Sequence, residues 1–138
     1  MKNAVKIIFI LFSIVFLAYS FLPNLGFPDP PPDALQSKEP ADSENLNVRR
    51  AYFTDYMREE VMAHYRNQME KSQFLGLPLP TYRLNYPPEE AQRIIREQTR
   101  SVFLEEIVHP FRESLYVNGF EAKEEKDTNF CRRFYFVS

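Results

Sequence analysis

The chain has 138 residues, with 17 Lys and Arg against 19 Asp and Glu and a net charge of -2; this allows one modest domain and lacks the basic surplus of a dedicated nucleic-acid binder. Three glycines leave little material for a phosphate-cradling loop, and a single cysteine excludes an internal disulfide framework and a cysteine-based zinc site. At 44% hydrophobic and 26% charged residues, the composition is that of a globular chain, not a wholly disordered one.

The N-terminus carries the clearest signal. Lys2 and Lys6 flank the start of an apolar run from Ile7 to Leu22, and no acidic residue occurs before Asp29. As a helix, Ala4 to Leu22 would measure roughly 28 Å at ~1.5 Å per residue, close to the ~30 Å hydrocarbon core of a bilayer. Pro23, which lacks an amide donor, ends it. Residues 1–22 therefore read as a transmembrane anchor. A secretory signal peptide competes, with Ala18-Tyr19-Ser20 as the small-residue cleavage region. The anchor is preferred because Phe21 and Leu22 continue the apolar run past that site. The two lysines keep the N-terminus in the cytoplasm by the positive-inside bias and send the remainder outward, either anchored or secreted after cleavage near Ser20.

Residues 23–42 contain Pro23, Pro28, Pro30, Pro31, Pro32 and Pro40. So many prolines prevent a regular helix or a central strand. The segment reads as a plain tether; the alternative is a semi-stiff spacer of up to ~60 Å at ~3.1 Å per residue, holding a domain off the bilayer.

Residues 43–138 form the expected domain. Asp42 or Ser43 can cap a helix in which Leu46, Phe53, Met57, Val61, His64 and Gln68 recur at helical spacing, with Asp55, Glu59, Arg66 and Glu70 opposite. That pattern predicts an amphipathic helix of about 28 residues ending before Gly76. A connector follows through Tyr82 to Pro88. A second helix opens at Pro88 with Glu89 and Glu90 in its first turn, and Ala91, Ile95, Gln98 and Val102 line one stripe. Phe103, Ile107 and Phe111 line another, so the helix either runs to His109 or breaks near Arg100. Leu115-Tyr116-Val117 and Phe130 to Val137 suit strands, Asn118-Gly119 is a hairpin-turn signal, and Lys123 to Thr128 reads as a loop. The expected fold class is α+β: two helices packed on a small antiparallel C-terminal sheet of two or three strands.

Few residues suggest chemistry. His109 can share a helix face with Glu105 or with Glu106, as His64 can with Glu60; Glu105, Glu106 and His109 are the best acid–base or ligand candidates. Carboxylate-bundle metal proteins need a Glu and a His three apart on each of two helices, and only Glu106 with His109 has that spacing. No metal or cofactor is assigned. Tandem acids on helices are usually solvated, and His109 would then cap helix carbonyls. Cys131 reads as a small core residue, and Arg132-Arg133-Phe134-Tyr135-Phe136 as a strand, since the rest of the chain is too acidic to favour nucleic acid. No Ser-His-Asp motif, P-loop or dinucleotide fingerprint is present. These features lead to a non-catalytic, membrane-anchored accessory module that binds another protein or itself outside the cytoplasm. The alternative is a small exported enzyme or metal-binding domain using Glu105, Glu106 and His109.

Overall fold

The computed structural model describes residues 2–23, 26–38, 49–87, 89–90, 103–120 and 133–137. The first helix, α1 (Lys2–Ser20), has no acidic residue in its first turn and buries none of its apolar span Asn3–Ser20. The hydroxyls of Ser13 and Ser20 donate to the carbonyls of Phe9 and Phe16, each at 2.9 Å, so neither polar group needs water. By length and composition, α1 can cross a membrane or serve as a signal sequence.

The remaining described elements are α+β. Six antiparallel strands form one sheet: β1 (Leu35–Gln36), β2 (Arg50–Thr54), β5 (Tyr82–Tyr86), β6 (Phe103–His109), β7 (Glu113–Phe120) and β8 (Arg133–Val137), in the spatial order β1-β2-β8-β7-β6-β5. A separate small hairpin joins β3 (Gln73–Phe74) to β4 (Leu77–Pro78). Helix α2 (Arg58–Met69) lies on one sheet face through Val61, Met62, Tyr65 and Met69. These meet Tyr52, Phe103, Ile107, Leu115, Val117 and Val137 in the main apolar core. Each aliphatic side chain fully buried there contributes roughly 1.5–3 kcal/mol. Burial of the Tyr65 phenol also lifts its pKa above the ordinary tyrosine range.

The long helix expected from Ser43 is cut short. Residues 50–54, Arg-Ala-Tyr-Phe-Thr, form β2, and only twelve residues are helical in α2. Phe53, placed in a helical stripe by spacing, pairs with Leu35 on one side and Phe134 on the other. Helix α2 starts instead at Arg58, capped by Met57, whose N–H donates to Glu60 Oε2 at 2.6 Å, with Glu59 and Glu60 in the favourable first turn. Glu59, Arg66 and Glu70 face solvent as expected. Leu46, Asp42 and Ser43 lie outside the described residues.

The second helix does not reach His109. Glu89 and Glu90 are helical, but Phe103–His109 is a central strand paired with β5 and β7. Ladder pairing on both edges overrides the helical spacing of Phe103 and Ile107. The stripe of Ala91, Ile95, Gln98 and Val102 falls outside the described residues, as does the break near Arg100. The connector 82–86 is likewise a strand. Asn118-Gly119 does not turn the chain but lies within β7, opposite Leu104 and Phe103. The turn is earlier, at Pro110–Arg112, with Arg112 N–H donating to His109 C=O at 3.1 Å. Lys123 to Thr128 lies outside the described residues. The C-terminal strand is interior, bonded to β2 and β7.

The proline-rich segment is not a free tether over residues 26–38. It supplies β1, and Ser37 N–H donates to Ala51 C=O at 2.9 Å. Pro31 is buried, and Phe27 and Ala34 pack on the core. Asp33 accepts from the Thr54 hydroxyl at 2.6 Å and from Asp55 N–H at 2.7 Å. The Gln68 amide pairs with the Asp29 backbone in both directions, at 2.8 and 2.9 Å.

Candidate functional site

Strand alternation sorts the three acid–base candidates. Phe103, Glu105, Ile107 and His109 of β6 point to the face covered by α2; Leu104, Glu106 and Val108 point away. Glu105 and His109 therefore share a face, and Glu106 occupies the opposite one. None is a solvated helix residue: relative exposure is 0% for Glu105, 5% for Glu106 and 0% for His109. Buried ionisable groups need partners, and each has its own.

Glu105 sits between two guanidinium groups. Its Oε1 accepts from Arg58 Nε at 2.5 Å and Arg83 Nη2 at 2.8 Å, and its Oε2 accepts from Arg83 Nε. Arg83 continues outward to Glu59 through a bidentate pair at 2.6 and 2.7 Å. Arg58 donates to Asn85 Oδ1 at 2.9 Å and lies over the Phe103 ring, 4.4 Å from its centre. Two carboxylates and two guanidiniums thus close a neutral network linking α2, β5 and β6. Hydrogen bonds to Glu59 and then Glu105 hold the Arg83 pKa far above its ordinary value, and the same contact with Arg83 lowers that of Glu59. With both Glu105 oxygens filled by charged donors, accepting a substrate proton would first require breaking the network.

Glu106 accepts from the Tyr86 hydroxyl, and that hydrogen bond, with some burial, pushes the Tyr86 pKa up to about 12. Tyr116, directly across the ladder, is raised by burial and then by the same carboxylate.

His109 has a different setting. Its Nδ1 lies 3.0 Å from Glu113 Oε1 and its Nε2 lies 3.1 Å from the Thr81 hydroxyl, which also reaches Leu79 C=O at 3.2 Å. A carboxylate only accepts, so Nδ1 carries the proton that Glu113 receives, and Nε2 faces the Thr81 hydroxyl. This is the order of groups in a hydroxyl–imidazole–carboxylate relay. Burial pushes the Glu113 pKa up, but hydrogen bonds from His109 and Arg112 outweigh it and hold the group below its ordinary value. Glu113 also lines a cleft of about 210 Å³ with Phe27, Asp29, Gln68 and Leu115. His64, the other histidine, places Nε2 2.9 Å from the Asp29 carbonyl. Among the described residues, no group of three or more His, Cys, Asp and Glu is placed to hold a metal ion. Cys131 and Arg132 lie outside the described residues.

Sequence reasoning selected Glu105, Glu106 and His109 but missed Arg58, Arg83, Thr81 and Glu113. The available signal was the pair of acids inside an otherwise apolar strand, Phe-Leu-Glu-Glu-Ile-Val. Once that run is a strand, one acid must face each side and find a partner. Which partner is not legible: Arg58 is 47 positions from Glu105. No family model matches the chain, and no curated protein or solved structure matches it.

Proposed function

We propose that the chain is a single-pass, membrane-anchored, non-catalytic accessory module that binds another protein or a second copy of itself. Lys2 and Lys6 favour a cytoplasmic N-terminus, with the sheet domain on the outer side. Secretion after cleavage near Ser20 is the variant of this reading. The observation that carries the binding role is the outer edge of the sheet. β5 is the terminal strand in the described order, and Tyr82 and Leu84 on it are 56% and 45% exposed. An edge strand with large apolar side chains suits addition of a partner strand. In support, Glu105 and Glu106 are committed to internal pairs.

The test is a photo-crosslinking residue at Tyr82 in the full chain, in native membranes. The expected result is one discrete adduct that Leu84→Lys abolishes. An uncrosslinked, monomeric chain overturns the binding role.

The second reading, a small exported enzyme, is favoured by one observation, the Thr81–His109–Glu113 chain of hydrogen bonds. In it the Thr81 hydroxyl, which donates to Leu79 C=O, would turn to His109 Nε2 and give up its proton there while Glu113 steadied the ring. It retains His109 but replaces Glu105 and Glu106 as working partners. Labelling of the full chain by a fluorophosphonate, lost in Thr81→Ala, would favour it; an unlabelled folded chain counts against it.

A further inference from the structure

Two tight turns display large apolar side chains at the same end of the domain. Phe111, in the β6–β7 turn, is 81% exposed with φ 61°. Leu75, in the β3–β4 turn, is 79% exposed with φ 52°, and it precedes Gly76 at φ 76°. Two successive positive φ values suit Asn-Gly or Gly-Gly, and a branched or aromatic residue there is strained as well as exposed. Leu77 beside it is 70% exposed. In water, each of these positions would favour a small polar residue.

The β6–β7 turn, and the β3–β4 hairpin through Phe74 beside its turn, meet the C-terminal end of α1. The Tyr19 hydroxyl donates to Pro110 C=O at 2.7 Å, and its ring packs edge-on to Phe74 at 6.0 Å. Arg112 Nη2 donates to Pro23 C=O at 3.2 Å. The Phe16 and Phe111 rings are 5.8 Å apart. Phe16 precedes Ser20 by about one helical turn, roughly 6 Å at ~1.5 Å per residue. Phe111 therefore stands beside the apolar part of α1, below the level of its end. Phe21, just past the helix, is 82% exposed.

We infer that the two turn tips, Phe111 and Leu75 with Leu77, form one footprint with the end of α1 and sit in the lipid interface. The domain then rests directly on the bilayer. The footprint is continuous with α1, which fixes its occupant as lipid and not a second protein. The strained backbone is the cost of presenting apolar side chains where lipid receives them. The inference rests on α1 being embedded in a membrane.

The chain contains no tryptophan, so a single introduced one reports its own surroundings. Four full-length variants would be reconstituted in phosphatidylcholine vesicles whose acyl chains are brominated near the middle: Phe12→Trp, Phe111→Trp, Leu75→Trp and Met57→Trp. Met57 is exposed and adjoins the Arg58–Phe103 contact, at the end of β6 remote from Phe111. Circular dichroism of each variant confirms folding. The expected result is strong quenching at positions 12, 111 and 75, with blue-shifted emission at 111 and 75, and none at 57. Quenching at 12, with 111 and 75 emitting like 57, overturns the footprint and leaves the anchor intact. No quenching at 12 overturns the anchor itself and the footprint with it.

Discussion

Arg83 grips both oxygens of Glu105 diagonally across the β5–β6 ladder, although the residue directly opposite Arg83 is Ile107. The carboxylate has no exposed surface, while the guanidinium keeps 29% of its side chain exposed and reaches on to Glu59. A buried charge is thereby neutralised by a group that remains partly in water.

Glu105→Ala should be severely destabilising, because two guanidiniums lose a shared acceptor beneath α2. Removing one partner of a buried ion pair costs about 3–5 kcal/mol, and partial exposure of both arginines places this case near the lower end. Thermal unfolding of the full chain in detergent, followed by circular dichroism, measures it. Replacing the trio together, as Arg58→Met, Glu105→Leu and Arg83→Met, should recover most of the loss.

Glu59→Gln should behave differently. Its side chain is 73% exposed, so its pairing with Arg83 is screened by water and salt. The expected cost is below about 1 kcal/mol and should shrink further in high salt. A loss as large as that of Glu105→Ala would show that Glu59 fixes the Arg83 geometry.

Acid should weaken the fold through Glu113. Its pKa is lowered in the folded state, so its contribution is present above the ordinary carboxylate value of about 4.3 and is lost as pH falls through the folded value. Melting temperatures should drop below about pH 4, and Glu113→Gln should reduce that drop while lowering stability at pH 7.

Tyr86 supplies the alkaline counterpart. With its pKa pushed up to about 12 by Glu106, it stabilises the fold fully below about pH 10 and loses that contribution as pH rises through about 12. Tyr65 and Tyr116 are raised as well, so spectrophotometric titration of phenolate should show several late-ionising tyrosines, one fewer in Tyr86→Phe. Glu106→Gln should bring that group back toward the usual tyrosine range.

Asp33→Ala should loosen the proline-rich strap. It removes the acceptor for the Thr54 hydroxyl and the Asp55 N–H. Hydrogen exchange should accelerate at the Ser37 amide, which bonds Ala51, while the amides of α2 remain protected. Unchanged exchange at Ser37 would mean that β1 and the prolines hold the strap without Asp33.

The N-terminal helix was legible because its signal is one-dimensional: a long run apolar on every face, free of acids and closed by a proline. The polar side of α2 was legible for the same reason, as Glu59, Arg66 and Glu70 fall together at helical spacing. Spacing failed where two periods coexist. Phe103 and Ile107 are four apart, which suits a helix, yet Phe103, Glu105, Ile107 and His109 alternate as a strand requires. Phe53 carried the same ambiguity. In both cases the sheet decided, because pairing on two edges outweighs local preference. Asn118-Gly119 misled similarly: a strong turn dipeptide sits in mid-strand while Pro110–Arg112 makes the reversal.

By itself the sequence determined a greasy N-terminal helix, an α+β composition and an aromatic, β-rich C-terminus, since each depends on neighbours a few positions away. Only the tertiary structure decided that Glu105, Glu106 and His109 are buried, that they divide between two sheet faces, and that Arg83, Tyr86 and Glu113 receive them. Buried charge requires compensation within a few ångströms, and the groups that supply it to Glu105 and Glu106 are separated from them along the chain by twenty residues or more.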